Sequence, residues 1–490
     1  MMTSALFCIM FALYWTWWYR NTKSKLEPPT HPGALPLIGH AHKLLGDTVF
    51  LWNTVKEISY TALREGGVVT TLIGPRKIYV VADPEDSLTV ANACIQKDVI
   101  YEFAKPWLGE GLITGKVSIW KRHRKLLNPA FSQLVLDGFQ GVFNSQARRL
   151  VKDLEVEVGK SPFDHLVYMR RSALETICLT AMGVDFRKNS VLLQYEQAIE
   201  QIFKIITERF QKFWLHNDFI YSWSALKRKE EQCVKILHNM SDKVLQARKA
   251  SYFDNKKNGL AAPSGTKFKA FLDLLLELSI ETGVFNDLEI REEVDTMITS
   301  GHDTTASVLM FTLVLIGSYP KVQERISEEL HNVFGTDDRD VTKQDLSRLV
   351  YLEAVLKESL RIYPIVPVIA RVLEKNIKLK NYTLTAGRTC FLSIYGIHRH
   401  PIWGDDVEEF KPERWLDTAT LPSCPTAFAA FNIGRRICIG KSFAFMSMKT
   451  TLSHVLRHYR VKGNHTKMVL KIDVVLKPKY GHHISIDRRT

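Results

Sequence analysis

No CxxC pair occurs anywhere in this 490-residue chain, and its seven cysteines, at positions 8, 94, 178, 233, 390, 424 and 438, are an odd number spread thinly along it. That argues against a disulfide framework and against a cysteine zinc site, and it fits reduced thiols facing a cytosol. Also missing are a long Pro/Ser-rich linker, an internal repeat and a low-complexity tract. Length alone suggests about three domains, yet without such dividers one large body is the expectation. Zinc-finger spacing and RNA-binding motifs are absent, and the basic residues are spread rather than clustered, which argues against nucleic acid. The net charge of +14 then suits an acidic partner or an anionic membrane surface. What the chain has in plenty is apolar material: 46% hydrophobic beside 24% charged residues is enough for a globular core and rules against disorder.

From Ala5 to Tyr19 the chain is apolar except for Thr16, with Trp15, Trp17 and Trp18 clustered before Arg20, Lys23 and Lys25. Counted from Met1, about 19 residues at 1.5 Å each reach roughly 28 Å, close to the thin bilayer of the endoplasmic reticulum. The basic residues after the run put the body in the cytosol. A cleaved signal peptide is disfavoured, because no basic segment precedes the run and no small-x-small site follows it. The expected organisation is a transmembrane anchor over 1–20, a basic and proline-rich linker over 21–40, and one body over 41–490. Pro28, Pro29, Pro32 and Pro36 keep the linker from being helical.

Within the body the clearest strand pair is Val68 to Ile73 and Lys77 to Val81 around the Gly74-Pro75 turn. Most of the remainder is helical. Asn286 or Asp287 is placed to cap a long helix from Leu288 to about Ser318, Pro320 opens another that Gly335 stops, and Leu346 to Ile362 reads as one helix ending before Pro364. Strand signals return around Ile377 to Leu384 and near the C-terminus. The class is mainly α with small β-sheets (α+β).

The segment Phe431-Asn432-Ile433-Gly434-Arg435-Arg436-Ile437-Cys438-Ile439-Gly440 carries the chemistry. Gly434 and Gly440 allow tight backbone geometry and close approach of a flat cofactor on either side of one sulfur. Arg436 can bring a cation towards a carboxylate. The apolar run from Phe443 to Met448 suggests a helix starting just after Cys438, whose N-terminal potential would favour a thiolate. On these grounds alone Cys438 stays open between a ligand, a structural thiol and a nucleophile, the last weakened by the lack of a nearby histidine.

Phe431, Gly434, Arg436, Cys438 and Gly440 together resemble the haem-binding loop of the cytochrome P-450 family, F-x-x-G-x-R-x-C-x-G. The resemblance implies haem b with Cys438 as the axial ligand of the iron, a thiolate that favours O–O cleavage. Glu358-Ser359-Leu360-Arg361 resembles the family's E-x-x-R, and Pro412-Glu413-Arg414-Trp415 its P-E-R-F, with Trp415 in place of Phe; Glu358, Arg361 and Arg414 are then a structural network. Trp120-Lys121-Arg122-His123-Arg124 resembles W-x-x-x-R. Trp120, Arg124, Arg371 and Arg436 are the implied contacts to the haem propionates, arginine suiting carboxylates through its planar fork. Ser300-Gly301-His302-Asp303-Thr304-Thr305 resembles the oxygen-activation motif. By that likeness Gly301 leaves room for dioxygen, Thr304 holds the oxygen species and Asp303 helps relay protons.

Glu293-Val294-Asp295-Thr296 ahead of that motif is most similar to the microsomal family-4 clan. Many members carry Glu before the Gly, where it can bond covalently to haem. Ser300 stands here, so the haem is expected to be non-covalent apart from the Cys438 bond, and fatty-acid ω-hydroxylation is less strongly implied. The family reading makes the protein a monooxygenase in the endoplasmic reticulum membrane, its catalytic domain facing the cytosol. Electrons would come from NADPH through a flavoprotein reductase, with a cytochrome b-type donor as a further partner. Lys121, Arg122, Lys125, Arg435 and Lys441 are the candidate docking face. Apolar segments at Ile100 to Thr114, Phe203 to Phe213, Met297 to Ser300 and Ile365 to Ile369 imply a lipophilic substrate such as a fatty acid, terpenoid, steroid or xenobiotic. Two rivals stand beside this: a silent haem carrier, against which Asp303 and Thr304 speak, and an isomerase or dehydratase on the same fold, which would need no reductase.

Overall fold

In the computed structural model of the chain the described residues are 9–15, 27–185, 191–257 and 270–489. Most of the expected anchor, with Trp17, Trp18, Arg20, Lys23 and Lys25, lies outside the described residues; residues 9–15 are helical. No single helix among the described residues is long and apolar enough to cross a membrane.

The centre of the molecule is a helix, α7 in the series that follows. Preceding it are α1 (Thr48–Arg64), α2 (Pro84–Ala93), α3 (Val117–Leu127), α4 (Leu166–Ile177), α5 (Val191–Gln211) and α6 (Ala225–Lys257). Then come α7 (Asp287–Ser318), α8 (Pro320–Phe334), α9 (Val350–Ile362) and α10 (Lys441–His458). The expected cap of α7 is present as a full capping box: Asn286 accepts from Glu289 N, and the Glu289 side chain returns to Asn286 N. From Val294 to Ile316 α7 is buried on nearly every face, the mark of a helix enclosed by others. It packs on α4, α6, α9 and α10.

Strands β1 (Val68–Ile73), β2 (Arg76–Val81), β3 (Val368–Val372) and β4 (Thr389–Ser393) form one sheet in the order β1-β2-β4-β3. The β2/β4 pair is parallel and its flanking pairs are antiparallel. A hairpin of β5 (Val469–Asp473) and β6 (Val475–Tyr480) turns at Val474, and β6 returns towards α7. Residues 28–40, expected as a spacer, run along the edge of β1: Thr70 N donates to Pro29 O (2.8 Å), His31 N to Thr70 O (2.8 Å) and His40 N to Leu72 O (2.6 Å). Proline-rich chain suits a sheet edge because it asks for few ladder donors.

The single helix expected over 346–362 is two. Lys343–Arg348 begins at its own Thr342–Asp345 capping box, and the chain bends at Leu349 (ψ 67°) before α9. The break is stabilised from α8, where the Glu329 carboxylate accepts the N–H groups of Tyr351 (2.6 Å) and Leu352 (2.9 Å). A side chain 22 residues before Tyr351 does the work of an N-cap.

Candidate functional site: a cysteine loop beside buried cations

Asn432 (φ 68°) and Gly434 (φ 67°) are both left-handed, and together they turn the chain so that Cys438 N donates to Phe431 O (2.9 Å). A side chain at Gly434 would lie 2.9 Å from Ala91 Cβ and Asn92 Oδ1, so this glycine admits α2. Gly440 has an ordinary φ of −87° and caps α10; a Cβ there would meet only Cys438 Sγ, at 3.9 Å. The expected helix after the cysteine is α10. Cys438 alone is exposed among the described cysteines. Surrounding protein raises its thiol pKa, opposed by a hydrogen bond from Gly440 N–H and by the charges of Arg124 and Lys441. The Phe431 ring stacks obliquely on Phe445, 5.3 Å between centroids, and anchors the start of the loop to α10.

Arg371 and Arg436 meet beside this loop. Arg371, wholly buried on β3, donates Nη1 to Ala370 O (2.8 Å), while its Nε and Nη2 have no partner among the described residues. Arg436 donates Nε to Ile95 O (3.1 Å), lies over the Trp120 ring (4.3 Å) and leaves Nη1 without a partner among the described residues. Burial and the nearby Arg371 charge pull its pKa down to about 10. Lys97, which the sequence reading missed, joins them: its ammonium donates to Ile113 O (2.5 Å), sits 4.4 Å from the Tyr101 ring, and is held well below the ordinary lysine pKa by burial, Arg436 and Arg371. Two guanidiniums with N–H groups unused among the described residues and the Lys97 amine beside them offer a cradle of donors suited to a di-anion. Such donors fit the two carboxylates of a haem.

Arg124 stands apart from that cradle. Although i, i+4 spacing puts it on one face of α3 with Trp120, its Nη1 donates to Ile437 O (2.8 Å) and its Nε to Asn128 Oδ1 (2.9 Å), on the cysteine side of the loop. The helix is held to α7 by a buried contact between His123 Nδ1 and Glu293 Oε1 (2.7 Å), also unread from sequence.

The E-x-x-R helix does what the sequence suggested. Glu358 accepts from Arg361 Nε (2.8 Å) and Nη2 (2.7 Å), Arg414 Nε (2.9 Å) and the Lys411 N–H (3.0 Å), all in the interior. Trp415 adds an indole N–H to the same carboxylate (2.9 Å), a donor that phenylalanine lacks. Burial alone would raise the Glu358 pKa; Arg361 and Arg414 outweigh it and hold the carboxyl low.

On α7 a Cβ at Gly301 would press on Ile177 of α4 at 2.7 Å, so its smallness lets α4 and α7 approach closely. Thr304 Oγ1 donates to Ser300 O (2.5 Å), and Ser300 donates in turn to Thr296 O, the back-bonding common for hydroxyls within helices. Asp303 is buried between Lys477 of β6 (3.1 Å) and Arg170 of α4 (3.6 Å), neither of which the motif reveals. Lys477 and Arg170 come from segments 174 and 133 residues away, so no local spacing signals them.

With this geometry in place, comparison with known proteins is direct. Residues 28–485 match the family described as Cytochrome P450. "Cytochrome P450 4V2" of Pongo abelii is 35% identical over 483 residues, covering 96% of this chain and 92% of the relative. The Homo sapiens protein of that name is 34% identical with the same coverage. "Cytochrome P450 4c3" of Drosophila melanogaster is 33% identical, again over 96% and 92%. The mainly helical fold with small sheets agrees, and the family's cofactor is haem b held by a cysteine thiolate. The chain therefore belongs to the cytochrome P450 family and is a haem monooxygenase.

Proposed function

We propose that Cys438 is the thiolate ligand of the haem iron and that Arg371, Arg436, Lys97 and Trp120 receive the propionates, with Arg124 supporting the loop beside the sulfur. The observation that carries this is the pair of buried guanidiniums with unused N–H groups next to the one cysteine exposed among the described residues. Phe431, Gly434 and Gly440 shape the loop. When bound, the haem supplies the activation of dioxygen and the insertion of one oxygen atom into the substrate. Thr304 and Asp303 are assigned to moving protons on the distal side. Thr304 has a hydroxyl that can leave its Ser300 bond, and Asp303 is a carboxylate whose proton exchange Lys477 and Arg170 control. Ser300, a short hydroxyl, leaves the haem free of a covalent ester at this position.

Electrons are assigned to an NADPH-dependent flavoprotein reductase, with a cytochrome b-type protein as a second donor. Lys121, Lys125, Arg435 and Lys441 are exposed around the cysteine loop, which supports docking of an acidic surface; Arg122 is exposed too but is already paired with Glu289. The substrate is lipophilic, in keeping with apolar residues such as Trp107, Phe203 and Met297 on the segments around α7. Placement at the endoplasmic reticulum membrane is supported by the apolar N-terminal sequence and by a patch of exposed aromatics, Phe213, Trp214, Phe219 and Trp223. The experiment is NADPH and oxygen consumption by the purified protein with reductase across a panel of lipophilic compounds, with product identified by mass. Ligand-dependent consumption and a product heavier by one oxygen are expected. Turnover without either cosubstrate would instead support an isomerase or dehydratase.

A further inference from the structure

Arg291, Asp295, Thr299 and His302 lie on one side of α7 at helical spacing, and none has a part in the site described above. Asp295, Thr299 and His302 are buried, yet Asp295 Oδ2, Thr299 Oγ1 and both ring nitrogens of His302 have no hydrogen-bond partner among the described residues. The buried Tyr195 hydroxyl of α5 approaches Thr299 without reaching hydrogen-bond geometry and is likewise unpartnered. At the N-terminal end, Arg291 and His238 line an open surface recess of about 860 Å³, and His238 Nε2 is 3.7 Å from Asp295 Oδ2. At the other end His302 adjoins Asp303.

One orphaned polar atom is unremarkable in a protein of this size, but a continuous row is not, because buried polar groups find partners in protein or in water. Positions four apart on a helix are about 6 Å apart along its axis, a gap that one water spans with two hydrogen bonds of about 2.8 Å. Each such water would have the several polar neighbours that a buried water needs. Ser241 donates to Asp295 Oδ1 and leaves Oδ2 facing His238 at the recess end of the row. Burial lowers the His302 pKa to about 4, so near neutral pH the ring is uncharged and offers one donor and one acceptor.

We propose that ordered waters line this side of α7 and form a proton path from the recess at Arg291 and His238, past Asp295, Thr299, Tyr195 and His302, to Asp303. The inference rests on the reading that Asp303 delivers protons. Each transfer makes one O–H or N–H bond as the next one breaks, so the residues end as they began and the only net import is a proton from bulk water. Nothing else is oxidised or reduced along the path.

The test pairs a crystal structure of the haem-loaded full chain with the variants Thr299→Val and Tyr195→Phe, whose haem content is checked by the carbon-monoxide difference spectrum. Expected are water peaks between Asp295, Thr299 and His302 and loss of the peak at Thr299→Val. The ratio of product to NADPH should fall roughly three- to tenfold, with a larger solvent deuterium isotope effect. A dry helix face, or an unchanged ratio and isotope effect in both variants, overturns the path. If Thr299→Val does not fold, Tyr195→Phe carries the decision alone. Asp303→Asn separates the two levels: should it too leave the ratio unchanged, proton delivery by Asp303 itself falls, whereas a loss in Asp303→Asn alone removes only the path.

Discussion

Lys477 Nζ lies 3.1 Å from Asp303 Oδ2 with both side chains nearly fully buried, so a strand near the C-terminus is pinned by charge to the central helix. Burial pushes the Asp303 carboxyl up, but Lys477, Arg170 and His302 together outweigh it and hold it below the ordinary range. A depressed carboxyl stabilises the fold above its unfolded pKa of about 4 and ceases to do so as pH falls through the folded value.

Replacing Lys477 by Met should therefore cost about 3 kcal/mol near pH 7, because one partner of a buried pair is left behind, with Arg170 providing partial cover. The Asp303 carboxyl should titrate at higher pH in the variant, and the stability difference from wild type should shrink as the pH falls below about 4. Urea unfolding at several pH values reads both. Equal stability near neutrality would mean that the pair contributes nothing net.

Arg371→Ala should weaken haem retention. It deletes a buried guanidinium with two unused N–H sites, and hydrogen bonds to charged groups contribute about 1.5–3 kcal/mol, or roughly ten- to a hundredfold in affinity. The haem-free protein should not lose stability in the same measure, since the change also relieves repulsion with Arg436 and Lys97. Haem titration of the apoprotein beside its thermal unfolding distinguishes the two effects; unchanged affinity would take Arg371 out of the cradle.

Cys438→Ser should lose the carbon-monoxide difference band typical of thiolate-ligated haem, because a hydroxyl does not supply the same axial donor. The loop itself should persist, held by the Cys438 N–H to Phe431 O bond and by the turn at Asn432 and Gly434, neither of which uses sulfur. Retention of the band would place the ligand elsewhere.

Thr304→Ala should keep its fold and haem, since alanine is the better helix former and the hydroxyl's local bond is only to the Ser300 carbonyl. The loss should appear in coupling: NADPH consumption continues while hydrogen peroxide rises and product per NADPH falls. Simultaneous peroxide and product assays read this. An unaltered ratio in fully haem-loaded protein would move the proton role to Asp303, Thr305 or an ordered water.

Removal of residues 1–20 should leave a haem-binding protein that still associates with vesicles, because Phe219 and Trp223 are 74% and 80% exposed on the body. Changing both aromatics to Ser in the truncated chain should then release it, as burial of each large apolar side chain contributes about 1.5–3 kcal/mol. Cosedimentation with anionic vesicles at low and high salt measures the step. Equal binding before and after the double change would assign the attachment to charge alone.

Legibility followed the range of the interaction. The β1/β2 pair, the Asn286 cap, the Pro320 and Gly335 limits of α8 and the helix after Cys438 were readable because turn residues, caps and periodicity act within a few positions. The break at Leu349 was not, because Glu329 reaches it from another helix. Gly301 and Gly434 were recognised as necessary, yet their neighbours, Ile177 and Ala91, belong to packing that no spacing encodes.

By itself, then, the sequence determined the family and the identity of the cysteine loop, since a ligand sulfur, two glycines and an arginine must sit at set positions within one short segment. Only the tertiary structure decided which cations gather into the cradle, where Arg124 points and which charges hold Asp303. Those contacts join residues from separate helices and strands, and their energies depend on distance and burial, quantities that come into being only when the chain is folded.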